Sequence, residues 1–121
     1  MIAMVQQMAL LYKIMSRQEW ADALARRVYE GSELDRRDGF IHLSAPDQVR
    51  ETVSRHFAGM ADLVMVVVKQ ESLGKTLKWE ASRGGALFPH VYGVIPIVAV
   101  KEAIPLPLEN GRHQLPEGLA E

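Results

Sequence analysis

Leu63-Val64-Met65-Val66-Val67-Val68 is a continuous apolar run in which four of six residues are valine. It has the length of a strand and no polar residue at alternate positions, the pattern of a strand buried on both faces. Such a strand belongs in the middle of a sheet, so the rest of the chain has to supply a neighbour on each side and a cover over each face.

Working upstream, Ala9 to Ile14 (A-L-L-Y-K-I) reads as a second strand. Ser16-Arg17-Gln18-Glu19 has the spacing of a capping box and predicts a helix from Ser16. Trp20, Leu24 and Val28 form its apolar stripe, and Gly31 is the expected stop. Glu30 to Gly39 is polar and ends in the turn-prone pair Asp38-Gly39, so it reads as a loop before a strand at Phe40-Ile41-His42-Leu43. Ser44-Ala45-Pro46-Asp47 predicts a second helix with Val49, Val53 and Phe57 on its apolar face and Gly59 near its end.

Downstream of the valine run, Thr76 to Glu80 alternates, with Leu77 and Trp79 on one face and Thr76, Lys78 and Glu80 on the other. Ala81 to Ala86 reads as a glycine-bearing loop, Phe88 to Gly93 as an extended segment, and Ile97 to Ile104 as a last strand. Strands outnumber the two helices. The expected fold is therefore α+β, a single compact domain whose mixed or mainly antiparallel sheet of five or so strands is packed by two main helices. We assign residues 8–108 to this domain, 1–7 to an N-terminal extension with Met8 an equal candidate for the first residue, and 109–121 to a flexible tail. The expected core contains Trp20, Leu24, Val49, Val53, Phe57, Val64, Val66, Leu77 and Trp79.

Composition narrows the function. The net charge of −1 is spread without a basic patch, which gives no signal for nucleic acid or an anionic membrane. No apolar run reaches the roughly 20 residues of a membrane span. The chain has no cysteine, which excludes disulfides, thiolate catalysis and sulfur-ligated metals and fits a cytoplasmic setting. The four histidines, at 42, 56, 90 and 113, lack metal-ligand spacing, and His56 reads as ordinary helix surface. Walker A, nucleophile-elbow and G-x-G-x-x-G signatures are absent.

Four segments carry polar groups suited to chemistry. His42 points away from the aliphatic neighbours of its strand and can engage a phosphate or ribose oxygen; the plainer reading is a histidine tying the strand to a loop. His90 and Tyr92 share a face and can form a stacking or hydrogen-bonding wall, or simply anchor a corner. Glu80 can act as a base or ribose anchor, or merely pair with Lys78. Arg83, beside Gly84 and Gly85, can hold an anion. These are the candidates: His42 and Glu80 for catalysis, and His42, Arg83, His90 and Tyr92 for ligand binding. The competing expectation is a non-catalytic protein-interaction or structural module, whose protein partners the sequence does not name.

L-Y-K-I near the start, D-G-F-I-H-L-S at Asp38 to Ser44, Gln48-Val49, L-K-W-E at Leu77 to Glu80 and F-P-H-V-Y-G at Phe88 to Gly93 resemble, in that order, the DUF952 family. The resemblance implies a small α+β domain found mainly in bacteria and implies no particular reaction. A more distant likeness is to the ADP-ribosyltransferase superfamily, which sets a strand-borne histidine, an aromatic residue and often a glutamate around the nicotinamide end of NAD. His42, Tyr92 and Glu80 are of those types, which implies a small-molecule or nucleotide ligand, NAD or another nucleotide as cofactor, and glycosyl or ADP-ribosyl transfer. Glu80 precedes Tyr92, the reverse of the superfamily order, so the carry-over is firmer for His42.

Overall fold

In the computed structural model, which describes residues 9–117 and 119, the valine-rich run lies in β4 (Leu63–Lys69), with Leu63 to Val68 all buried. β4 is the middle strand of an antiparallel sheet, flanked by β1 (Leu10–Ser16) and β8 (Val100–Leu106). Its two faces feed two cores. Leu63, Met65 and Val67 join Tyr12, Ile14 and Leu106 beneath Val49 and Val53 of helix α3 (Val49–His56). Val64, Val66 and Val68 join Leu11 and Met15 on the opposite face, covered by Ala23, Tyr29, Ile41, Leu43 and Val91. The extension assigned to 1–7 lies outside the described residues, as do 118, 120 and 121 of the tail. No helix among the described residues is long and apolar enough to cross a membrane.

The second face is covered by helix α1 (Arg17–Arg26) and a smaller antiparallel sheet. Ser16 caps α1 as its spacing requires: its hydroxyl accepts from the Glu19 amide while the Glu19 carboxylate accepts from the Ser16 amide. The helix stops at Arg27, which is left-handed at φ 65°, and not at Gly31. Val28 consequently belongs to the short strand β2 (Val28–Tyr29), which pairs with β7 (Ile95–Pro96). The buried stripe of α1 is centred on Ala23, with Trp20 half-buried, and Leu24 is turned outward at 47% exposure. The expectation of a buried Leu24 is therefore corrected: the helix is turned so that Ala23 faces the core, which leaves Leu24, about 100° further round, toward solvent.

The polar segment expected as a loop contains helix α2 (Glu33–Asp38). Ser32 and Asp35 form its capping box, and Gly39 ends it at φ 89°, a left-handed conformation that glycine takes without strain. The second expected helix begins at Val49, after a turn in which the Gln48 carboxamide accepts from the Ala45 amide; Ser44 pairs instead with Thr52 at 2.9 Å.

The smaller sheet has β6 (Leu87–Val91) between β3 (Ile41–His42) and β5 (Leu77–Ala81). In its register Ile41, Val91 and Leu77 lie side by side toward the core, while His42, His90 and Lys78 lie side by side on the reverse face. Trp79 shares the face of Leu77 but sits on the outer strand beyond the core and is 41% exposed, which corrects its assignment to the core. An isolated bridge between Tyr12 and Ser44 ties the free edge of β1 to the chain leaving β3, joining the two sheets. Farther on, β9 (Leu108–Glu109) and β10 (Arg112–His113) make a small hairpin, and His113 reaches the Met60 carbonyl at 2.6 Å.

Two substitutions probe this packing. Met65, fully buried in the β4 layer under α3, should cost about 2–5 kcal/mol when changed to Ala, seen as a lower urea midpoint with an unchanged slope. The Tyr29 hydroxyl is the buried side-chain polar atom without a hydrogen-bond partner among the described residues. Burial, reinforced by the Asp35 carboxylate, raises its pKa far above the usual phenol value. Tyr29→Phe removes an unmet desolvation cost, and chemical denaturation should find the variant at least as stable as the parent.

Candidate functional site

The candidate cluster starts from a charge in an apolar strand. Lys13 lies on β1 between Leu11 and Met15, on the face of Val66, and is 9% exposed. All three ammonium hydrogens have acceptors: both oxygens of Asp35, at 3.1 and 2.9 Å, and the His42 carbonyl at 3.0 Å. Asp35, 2% exposed, also accepts from the amides of Ser32 and His42 and contacts His42 Nδ1 at 2.6 Å. Gly31 lets the chain pass close by, since a Cβ there would stand 2.9 Å from Asp35 Cβ. Burial pushes the Asp35 carboxyl up, but the hydrogen bond from His42 and the Lys13 ammonium outweigh it, leaving the pKa well below the carboxylate range.

His42 is held at both ends of its ring. Nδ1 meets Asp35, and Nε2 meets the partly exposed Asp38 at 3.1 Å. Both contacts are hydrogen bonds only when both nitrogens carry protons. Next to it, on β6, His90 is 4% exposed and places Nδ1 2.8 Å from Glu80 Oε1. The same Glu80 oxygen accepts from the Tyr92 hydroxyl at 2.7 Å. The bonds from His90 and Tyr92 lower the Glu80 pKa, and the bond to Glu80 raises that of Tyr92. Phe40 binds the group together: its ring stacks on His90 at 4.1 Å and lies 4.6 Å from His42 and 5.2 Å from Tyr92.

A cleft of about 840 Å³ opens beside this cluster, along the free edge of β1. Lys13, Asp35, His42 and His90 line it together with residues of α2 and α3. Phe57 and Phe88 give it apolar walls, and Glu19 and Glu33 add carboxylates to its lining, whereas Asp35 is neutralised by Lys13. Of the four residues that the sequence groups together, His42 and His90 line the cleft, while Glu80 and Tyr92 reach it through His90. Lys78 hangs over the Tyr92 ring, 5.5 Å from its centroid. Arg83 lies in the turn before β6, and its side chain is outside the described residues. His56, read as plain surface, is exposed and lines the cleft.

Sequence reasoning missed Lys13, Asp35, Asp38 and Phe40. The signals were there for two of them. A lone lysine inside L-L-Y-K-I-M demands a buried counter-ion, and Ser32-x-x-Asp35 is a capping box of the kind found at Ser16. Phe40 shares strand parity with His42, which puts it on the same face. No group of three or more His, Asp or Glu that could hold a metal occurs among the described residues.

The architecture is that of a small antiparallel α+β domain with a histidine-lined cleft beside the outer edge of β1. The model of the family described as "Protein of unknown function (DUF952)" matches residues 14–103, and the chain belongs to that family. It is similar to protein CC0527 from Caulobacter crescentus: 50% identical to the crystal structure, over 87% of this chain and 93% of that one, with a TM-score of 0.83. The solution NMR structure of the same protein is 49% identical, over 86% and 90% of the two chains, with a TM-score of 0.77. A search of curated proteins found no match.

The depressed Asp35 pKa has a consequence for stability. Its stabilising contribution is fully present above the ordinary aspartate pKa of about 3.9 and is lost as pH falls from there toward the lower native value. Asp35→Asn should cost about 3–5 kcal/mol at pH 7 by leaving Lys13 buried without its counter-charge. Urea titrations at pH 7 and below pH 4 should show the variant losing less stability on acidification than the parent. Equal losses would place the acid sensitivity elsewhere.

Proposed function

We propose that the cleft binds a nucleotide, with NAD the first candidate, and serves transfer of its glycosyl or ADP-ribosyl group. The observation that carries this reading is that two histidines on neighbouring strands, each oriented by a carboxylate, border one cleft with apolar and acidic walls. With Nδ1 donating to Glu80, His90 keeps Nε2 as an acceptor, for which no partner occurs among the described residues. His42 can engage a ribose oxygen through Nε2 by exchanging it for Asp38, its more exposed contact. Phe57 and Phe88 provide surface for a heteroaromatic ring.

Glu19 and Glu33 in the lining favour a reacting centre that gains positive charge, such as a ribosyl carbon that becomes oxocarbenium-like as nicotinamide departs and then bonds to the oxygen of water or of an acceptor hydroxyl, whose proton is released. In this scheme Glu80 acts through His90, holding its tautomer, because its Oε1 is already shared by His90 and Tyr92. Asp35 does the same for His42.

The test is a thermal-shift series with NAD, ADP-ribose and other nucleotides. A ligand at 100 times its dissociation constant stabilises by about 2.7 kcal/mol, roughly 10 °C for a chain of this size. His42→Asn and His90→Gln should abolish the shift while keeping the fold by circular dichroism. Tyr92→Phe, acting only through Glu80, should reduce affinity by less. If none of these compounds shifts the parent protein, the nucleotide reading fails.

A further inference from the structure

We propose that two copies of the chain pair edge to edge through β5, joining their smaller sheets into one six-stranded antiparallel sheet. β5 is an outer strand with no buried residue, and among the described residues it pairs with β6 alone. Hydrogen bonds from the Tyr92 amide to the Thr76 carbonyl and from the Ser82 amide to the Ala86 carbonyl fix which residues face β6. By alternation Thr76, Lys78, Glu80 and Ser82 bond inward, and Leu77, Trp79 and Ala81 turn their backbone groups to the open edge. The Leu77 amide is bound to the Gly74 carbonyl, which leaves the amides of Trp79 and Ala81 and the carbonyls of Leu77 and Trp79 to a further strand.

The sequence of this edge, Leu77-Lys78-Trp79-Glu80-Ala81, suits a second copy of itself. In an antiparallel pair with a two-fold axis at Trp79, the two tryptophans are opposite each other and Leu77 faces the partner copy's Ala81. Lys78 then faces the partner copy's Glu80, and Glu80 faces the partner copy's Lys78. These charged positions are the non-hydrogen-bonded pairs, whose side chains approach most closely. An edge lysine ordinarily blocks strand addition because it meets no counter-charge. In this register it meets one on each side of the axis. Glu80 Oε1 is engaged by His90 and Tyr92, and Oε2 is the oxygen available to the lysine.

The ladder would supply four backbone hydrogen bonds: the Trp79 amide of each copy to the other's Trp79 carbonyl, and the Ala81 amide of each to the other's Leu77 carbonyl. It would also cover Trp79, whose 41% exposure the monomer leaves without a purpose. A foreign strand could use the same backbone groups, but the lysine-tryptophan-glutamate order matches its own reverse, so the second copy is the occupant that the charges select.

Sedimentation equilibrium of the full chain over a dilution series tests this. The parent protein should sediment at twice its 13.5 kDa chain mass at high concentration and dissociate on dilution. Lys78→Glu sets like charges opposite each other twice and should weaken the dimer about tenfold or more. Ala81→Pro removes an outward amide without touching a β6 bond and should abolish it. Lys75→Glu, off the strand, should leave it unchanged. Should Ala81→Pro fail to fold by circular dichroism, Trp79→Glu, with like charges at the axis, takes its place. A parent chain that stays monomeric throughout, or a dimer that survives Lys78→Glu and the backbone or Trp79 variant alike, overturns the proposal.

Discussion

An ammonium group cannot be taken out of water on the buried face of a sheet unless the fold delivers acceptors to all of its hydrogens. Lys13 sets that condition here, and much of the irregular part of the chain is arranged to meet it. The capping box at Ser32 and the close passage at Gly31 bring Asp35 against β1. The same carboxylate holds both the backbone and the ring of His42, so the strand that borders the cleft is positioned by the group that neutralises the lysine. Structure and site are thus joined through one carboxylate. Replacing the cluster by apolar residues could leave a stable core and would forfeit the orientation of His42.

A second, more exposed cluster repeats the device with weaker consequences. Glu80 orients His90 from an outer strand, and its water-screened bonds to His90 and Tyr92 set direction more than stability. Phe40 links the two histidines by ring contact. The cleft is consequently bordered by one histidine fixed from the core and another fixed from the surface, an asymmetry suited to one anchoring role and one adaptable role.

The elements with long or strongly patterned runs were legible in the sequence. β4 could be read from its valines, the start of α1 from Ser16 and Glu19, and the outward direction of His42 from strand parity. α2 could not, because six residues with a single aliphatic side chain, the exposed Leu34, show no apolar periodicity; its role is to carry Asp35. Trp79 was misplaced because alternation gives a face and says nothing of how far the core extends along it. The grouping of His42, His90, Tyr92 and Glu80 was readable as chemistry, but which of them border the cleft depended on packing between segments far apart in sequence. The family segments helped because they mark those segments in order, although they carry no reaction with them.

The position of Lys13 also bears on how the chain finds its fold. β1 and β4 are separated by roughly fifty residues, so their pairing must select one register from several after a long loop has closed. The aliphatic residues discriminate weakly, since β4 is apolar on both faces. A slip of one residue would turn Lys13 into the layer under α3, among Val49, Val53 and Met65, far from Asp35. Such a misaligned sheet would hold an unpaired charge in an apolar layer and would come apart before the remaining strands could consolidate it. The buried lysine therefore acts as a proofreading mark: it costs desolvation in the native sheet, and it makes a one-residue misalignment costlier still.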